Sequence, residues 1–218
     1  MKINKLILIR GGGDLASGVA AVLFRNGWKV VISELSEPMV VRRKVAFAEA
    51  VWETHHSVEE IEAILGASDE DVESALQAGK IAVIVDPDAK IAERFDFRAV
   101  VDARMLKRFY ANPFPKEIVL IGLGPGFIAG ENCFAVIETK RGENLGRIIW
   151  EGAAEEDTGI PGIVEGRGLE RVLYSHSEGT IRTLVEIGDL VRKGQVMAEV
   201  GGEAILAPFD GLVRGMLR

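Results

Sequence analysis

Leu6-Ile-Leu-Ile-Arg10-Gly11-Gly12-Gly13-Asp14-Leu15-Ala16 is the stretch that decides the fold. Four consecutive apolar residues suit a strand buried on both faces, as strands of a parallel sheet are. A glycine turn follows at once. Leu15 to Asn26 then places Leu15, Val19, Val22 and Leu23 at helical spacing, and Gly27 suits the left-handed position that ends a helix. Trp28 to Ser33 reads as a second strand. Strand, helix and strand joined by such short links describe a right-handed βαβ crossover.

Gly11, Gly13 and Ala16, with Gly12 between, match the pattern G-x-G-x-x-A. The first glycine makes the tight turn, the second lets the backbone approach a pyrophosphate, and the small third residue lets helix pack on strand. The helix N-terminus then offers unpaired N–H groups and a positive dipole end to a phosphate. Glu34 follows the second strand at the distance where an acid takes the ribose in NAD-type folds. A carboxylate there would repel a 2′-phosphate, which favours NAD or another adenosine group over NADP. Asp14 fits the N-cap of the helix. A capping carboxylate competes with phosphate for the same N–H groups, so a capped turn that binds nothing stands as the alternative.

Outward from this stretch, Pro38 to Trp52 reads as helical and carries Arg42 and Arg43, either a clamp for phosphate or carboxylate or a solvated face. Ser57 to Glu60 has capping-box spacing and predicts a helix start, and Ser68 to Asp71 predicts another. Ile81 to Val85 is a strand before Asp86, Ala99 to Val101 a strand before Asp102, and Ile118 to Ile121 a strand before Gly122-Leu-Gly124-Pro-Gly126. Phe134 to Ile137 is one more. The alternation predicts an α/β fold, Rossmann-like, with a mostly parallel sheet and helices on both faces.

Ligands of such sheets lie beyond the carboxyl ends of the strands. Arg10, Glu34, Asp86, Asp102 and the Gly122–Gly126 loop all fall there. The second glycine loop suits either a backbone nest for an anion or a tight turn into Phe127. Asp86 and Asp102 suit general bases or metal ligands, but more commonly cap the next turn. His55 and His56 adjoin, so on a helix they point about 100° apart and make a poor metal pair. His176 is alone, and Cys133 reads as a buried small residue. Neither a serine nucleophile elbow nor a P-loop lysine motif is present.

Near residue 165 glycines become frequent and helical periodicity ends. This predicts a nucleotide-binding domain over 1–165 and a small β-domain over 166–218. Ser175 to Arg182 can be laid on Ala207 to Arg214, suggesting two hairpin-like halves. The 218 residues carry a net charge of −7, which argues against a broad nucleic-acid footprint. One cysteine excludes an internal disulfide and an all-cysteine metal cage. No apolar run approaches the roughly 20 residues that span a bilayer, and the first apolar run is too short for a signal peptide. A cytoplasmic protein with neither membrane nor nucleic-acid partner is expected.

Arg10-Gly-Gly-Gly-Asp-Leu-Ala-Ser-Gly18, Glu34, Pro38, Arg42-Arg43, Asp102-Ala-Arg-Met105, Gly122-Leu-Gly-Pro-Gly-Phe127, Val136-Ile-Glu-Thr139, Arg141-Gly142, Leu145-Gly-Arg147, Thr158-Gly159 and Pro161-Gly162 together resemble the YqeB-type accessory proteins of selenium-dependent molybdenum hydroxylases. That group is similar to the xanthine dehydrogenase accessory family. The resemblance spans nearly the whole chain and implies a role in maturing or supplying the molybdenum cofactor of a hydroxylase. Asn144 stands where that pattern has a histidine. The tail resembles biotinyl/lipoyl domains through Ile187 to Gln195 and Ile205 to Val213. The turn that would bear their modified lysine is Val200-Gly201-Gly202-Glu203-Ala204, without lysine, which points away from a carrier role.

The leading expectation is therefore a molybdenum-hydroxylase maturation factor that binds a nucleotide or a nucleotide-bearing molybdenum cofactor. Arg10, Gly11, Gly12, Gly13, Asp14, Glu34, Asp102, Gly122, Gly124 and Gly126 are its candidate binding residues. The expected partners are that small molecule and the hydroxylase, with a homodimer also open. An NAD-dependent oxidoreductase and a non-catalytic ligand-binding scaffold or sensor are the rivals.

Overall fold

The computed structural model describes residues 5–218. The chain divides into two compact units. One comprises residues up to 38 together with 45–157, and the other comprises 39–44 with 158–218. The division after Asp157 falls eight residues before the sequence-predicted boundary, and residues 39–44 belong with the tail.

In the larger unit the strands are β1 (Leu6–Arg10), β2 (Lys29–Glu34), β3 (His55–Val58), β4 (Ile61–Gly66), β5 (Ile81–Val85), β6 (Ala99–Asp102), β7 (Val119–Leu123), β8 (Ile128–Ala129), β9 (Ala135–Ile137), β10 (Ile148–Ile149) and β11 (Gly152–Ala153). The helices are α1 (Asp14–Arg25), α2 (Ala50–Glu53) and α3 (Asp69–Gln77). Nine strands form one sheet in the order β10-β9-β7-β6-β1-β2-β5-β4-β3. The seven inner strands run parallel, and the edge strands β3 and β10 run antiparallel to their neighbours. β8 and β11 form a separate antiparallel pair.

Side-chain alternation splits each inner strand between two cores. Leu6, Leu8, Val31, Ala82, Ile84, Val100 and Leu120 pack with Val72, Ala75 and Leu76 of α3. Ile7, Ile9, Val30, Ile32, Ile81, Val83 and Val101 pack with Ala16, Ala20 and Ala21 of α1 and with Phe47 and Ala50. Both faces are covered, which is why these strands read as continuous apolar runs.

Two expected helices are replaced. Ser57 to Glu60 has capping-box spacing, yet it lies in a hairpin in which Val58 pairs with Ile61 across Glu59 and Glu60. Pairing lets β4 bury Ile61 and Ala63 in the α1-side core, and that burial overrides the local signal. The capping box that forms is at Ser68, whose Oγ accepts from Asp71 N while Asp71 Oδ2 accepts from Ser68 N. Residues 43–53 make single 3₁₀ turns and the short α2 instead of a long helix. The backbone there is spent elsewhere: Ala48 N donates to Gly12 O at 2.9 Å and Phe47 N to Ser17 Oγ at 2.8 Å.

The smaller unit holds β12 (Ile181–Thr183), β13 (Leu190–Val191), β14 (Val196–Val200), β15 (Glu203–Leu206) and β16 (Gly211–Leu212). They form two antiparallel sheets, β12-β14-β15 and β13-β16, around Val185, Val191, Met197, Ala198, Ala207, Val213 and Met216. The 39–44 segment completes this unit. Val41 O accepts from Met216 N at 2.8 Å, Arg43 Nε donates to Met216 O at 2.8 Å, and Lys44 Nζ donates to Ile187 O. The β14–β15 turn is Gly201-Gly202, both at positive φ, as a two-residue hairpin turn prefers. A side chain at Gly201 would meet Glu178 O at 2.8 Å, so the turn packs against its neighbour.

In the larger unit Gly122 lies against the Phe127 ring, where an added Cβ would stand 2.1 Å from Phe127 Cγ. Gly122→Ala should lower stability by about 3 kcal/mol through overpacking of a closed core. The loss should read as a lower urea midpoint with an unchanged slope. Phe127→Leu in the same chain should recover part of it, and an unchanged midpoint in Gly122→Ala would refute the packing account.

Candidate functional site

The strand order reverses at β1: β2 lies on one side of it and β6 on the other. In open parallel sheets the crevice for ligands opens at this point, beyond the carboxyl ends. The register sets Arg10 beside Asp102 and beside Ser33.

On the face away from α1, Arg10 is fully buried, with its guanidinium hydrogen-bonded three ways. Nη1 meets Asp102 Oδ2 at 3.3 Å and the Tyr110 hydroxyl at 3.4 Å, and Nη2 meets Pro87 O at 3.0 Å. The guanidinium also lies between the rings of Tyr110 and Phe114, 5.5 and 5.6 Å from their centroids. Arg104 grips the other side of Asp102, with Nε 2.9 Å from Oδ1 and Nη2 2.7 Å from Oδ2, and stacks 4.6 Å from the Tyr110 centroid. Burial opposes the charge on Arg104, but its bonds to Asp102 and Tyr110 outweigh this and hold its pKa above the ordinary value. The Arg10 hydrogen bond holds the Tyr110 phenol below its usual range, against the effect of burial.

The α1 face differs from the sequence expectation. Gly13, not Asp14, is the N-cap; Asp14 is the first helical residue, and no side chain caps the helix. Nothing lies within 4 Å of where a Gly13 Cβ would stand. Gly11, at φ +86°, packs against Arg104 and so brings the turn beside the β6 residues. Gly12 is committed to the protein itself: its N–H donates to Glu34 Oε2 at 2.6 Å, and its Cβ position is filled by the Ala48 backbone at 2.9 Å. Glu34 Oε1 accepts from Leu35 N at 2.7 Å, so the acid expected at a ribose pins two turns of its own chain.

The second glycine loop lies close against its own chain. Gly122 faces Phe127, and Gly126 lies against the backbone of Leu106 and Arg108 at 2.6 and 2.9 Å. Gly124 lies beside Thr139 and Met105. Asn132, buried, donates from Nδ2 to Tyr110 O at 2.8 Å and accepts from Ile128 N at 2.7 Å. Together these hold the 103–115 loop that carries Tyr110 and Phe114 over Arg10.

Asp86 caps its own turn, accepting from Ile91 N at 2.7 Å. Arg43 spends Nε on Met216 O. His56 faces Glu53 at 3.2 Å on an edge strand, and no group of three or more metal-ligating side chains occurs among the described residues. Burial pushes the Cys133 thiol up, as befits a packing residue. Arg104, Tyr110, Phe114 and Asn132 were missing from the candidate set. Their signal was their place in the segments that follow β6 and β7.

At the opposite edge of the sheet, buried Glu138 accepts from Thr139 N, Lys140 N and Glu155 N at 2.7, 2.7 and 2.8 Å. These bonds shape a small cleft between Arg147, Asn144 and Ile149. Lys140, 2.6 Å from Glu155, holds that carboxyl below the usual range, with help from the Asn144 amide.

No family model matches the chain, and no solved structure matches it. It is similar to the uncharacterized protein YqeB of Escherichia coli strain K12, with 42% identity over 214 residues. The match covers 98% of this chain and 40% of that protein, so the chain spans well under half the length of this curated relative.

Asp102 is 0% exposed and answers two arginines. Asp102→Ala should cost about 3–5 kcal/mol, because it leaves Arg10 buried without its counter-ion. Replacing both Arg10 by Met and Asp102 by Leu should cost markedly less. Chemical denaturation of the three proteins checks this, and equal losses in single and double variants would contradict it.

Proposed function

We propose that the larger unit binds a phosphate-bearing nucleotide, or a nucleotide-bearing molybdenum cofactor as cargo, at the β1/β6 crevice, and that the protein is an accessory factor of a molybdenum hydroxylase. The observation that carries this reading is the meeting of the Gly11 turn with Arg104 where the strand order reverses. Nucleotide ligands favour this position in open α/β sheets. The cluster around Asp102 holds two guanidiniums against one carboxylate, which suits an anionic group. No atom lies within 4 Å of the Gly13 Cβ position at the N-cap of α1, where a helix N-terminus favours an anion.

The residues fit the phosphate end of such a cargo: Gly11, Gly13, Arg104 and the first turn of α1 would hold it. The motifs quoted above support the hydroxylase role through their resemblance to accessory proteins. The similarity to YqeB is consistent with that grouping, although that protein is itself uncharacterized. An ordinary NAD oxidoreductase is less well supported, because Glu34 and Gly12 bond to each other where a dinucleotide would need both. The smaller unit, with its two sheets and no lysine in the Gly201-Gly202 turn, suits a barrel-sandwich docking module for the hydroxylase or a second copy. No described helix is long and apolar enough to cross a membrane.

Calorimetry against ATP, CTP and NAD checks the ligand. At least one should bind, and Gly13→Val should weaken it by about tenfold, or roughly 1.4 kcal/mol. Absence of binding to all three would overturn the nucleotide reading. Recovery of a molybdenum hydroxylase on the tagged protein tests the accessory role.

A further inference from the structure

Asp102 faces both Arg10 and Arg104, so the group carries one positive charge in excess while Tyr110 is a neutral phenol. Arg10 Nε is buried and has no hydrogen-bond partner. A buried charge is strongly unfavourable unless an opposite charge answers it. The turn that meets Arg10 supplies none: Asp86 bonds to Ile91 N, and Asp88 lies 3.5 Å from Lys90. On the 103–115 loop Lys107 pairs with Asp157, and Arg108 adds a further positive charge. Two answers are therefore open to the cluster, the phenolate of Tyr110 or an anion from outside.

We infer that this cluster is a phosphate subsite of the crevice, in which Arg104 and the Tyr110 hydroxyl donate to phosphate oxygens while Arg10 supplies charge from behind. The inference rests on the reading that the ligand occupies the β1/β6 crevice, and it names the group that takes the ligand's phosphate. Arg104 is the reachable cation, its side chain 25% exposed against 2% for Arg10. A planar guanidinium with a neighbouring hydroxyl presents several N–H and O–H donors to tetrahedral oxygens.

Tyr110 makes the subsite proton-coupled. The groups facing it are Arg10 from β1 and Arg104 and Asp102 from β6 and its loop. Without ligand, ionisation of the phenol neutralises the excess charge. A phosphate must displace that charge, so binding requires Tyr110 in its protonated, donating form. Affinity is therefore full below the lowered phenol pKa and falls as pH rises through it.

Inorganic pyrophosphate is the probe, titrated calorimetrically from neutral to alkaline pH. Wild type should bind at neutral pH and lose affinity as Tyr110 ionises, with one proton taken up per pyrophosphate at alkaline pH. Arg104→Gln should weaken binding at least tenfold, while Arg147→Gln, at the far sheet edge, should leave it unchanged. Tyr110→Phe should flatten the pH profile, an effect independent of whether Arg104→Gln folds. Ultraviolet titration should show loss of the lower-pKa tyrosine in that variant. Unchanged affinity in a folded Arg104→Gln, or a pH profile that survives in Tyr110→Phe, overturns the subsite. Nucleotide binding that persists in Arg104→Gln would sink the subsite and leave the crevice reading standing. Pyrophosphate binding without any nucleotide binding would do the reverse.

Discussion

The carboxylate of Asp102 is the constraint from which the crevice follows. It is wholly enclosed, and an enclosed ion is tolerated only with close counter-charges and satisfied lone pairs. Parallel pairing of β1 with β6 sets Arg10 abreast of it, and the turn after β6 brings Arg104 back onto it. Arg10 in turn requires a roof, because a guanidinium cannot lie bare in an apolar layer. Tyr110 and Phe114 provide that roof with their ring faces, and Pro87 provides a carbonyl. The 103–115 loop then needs a seat, which the side-chain-free backbone at Gly126 and the amide of Asn132 supply.

A second device recurs at the strand ends. Glu34 closes β2 by accepting from the N–H groups of Gly12 and Leu35. Glu138 closes β9 by accepting from Thr139, Lys140 and Glu155. Each is a buried carboxylate whose partners are backbone donors that a strand ending in an irregular turn would otherwise strand without acceptors. The same residue type in the same position can hold a ribose in other sheets. Here it holds the chain.

Most of the sheet was legible in the sequence because β1, β2, β5, β6, β7 and β9 are short apolar runs bounded by turn residues, as strands covered on both faces are. The α3 start was legible for an equally local reason, Ser68 and Asp71 three residues apart. The β3–β4 hairpin was not, since Ser57 and Glu60 satisfy a helix signal and only the burial of Ile61 and Ala63 decides against it. The glycine loops show a different limit. Glycine is required wherever backbone comes close to something, and sequence does not say whether that something is a ligand or Phe127. Part of the candidate site was legible as strand-end positions, Arg10 and Asp102 among them. Tyr110 was not, because its partner Arg10 lies 100 residues away and only the closed sheet brings them together.

The 39–44 segment carries a consequence for how the chain is made. Val41 leaves the ribosome long before Met216, the residue whose N–H it accepts. The smaller unit therefore cannot make this bond until Met216 has been synthesised, long after Val41. Meanwhile the larger unit must fold around a six-residue excursion that it does not use. Order of synthesis and order of assembly are thereby uncoupled.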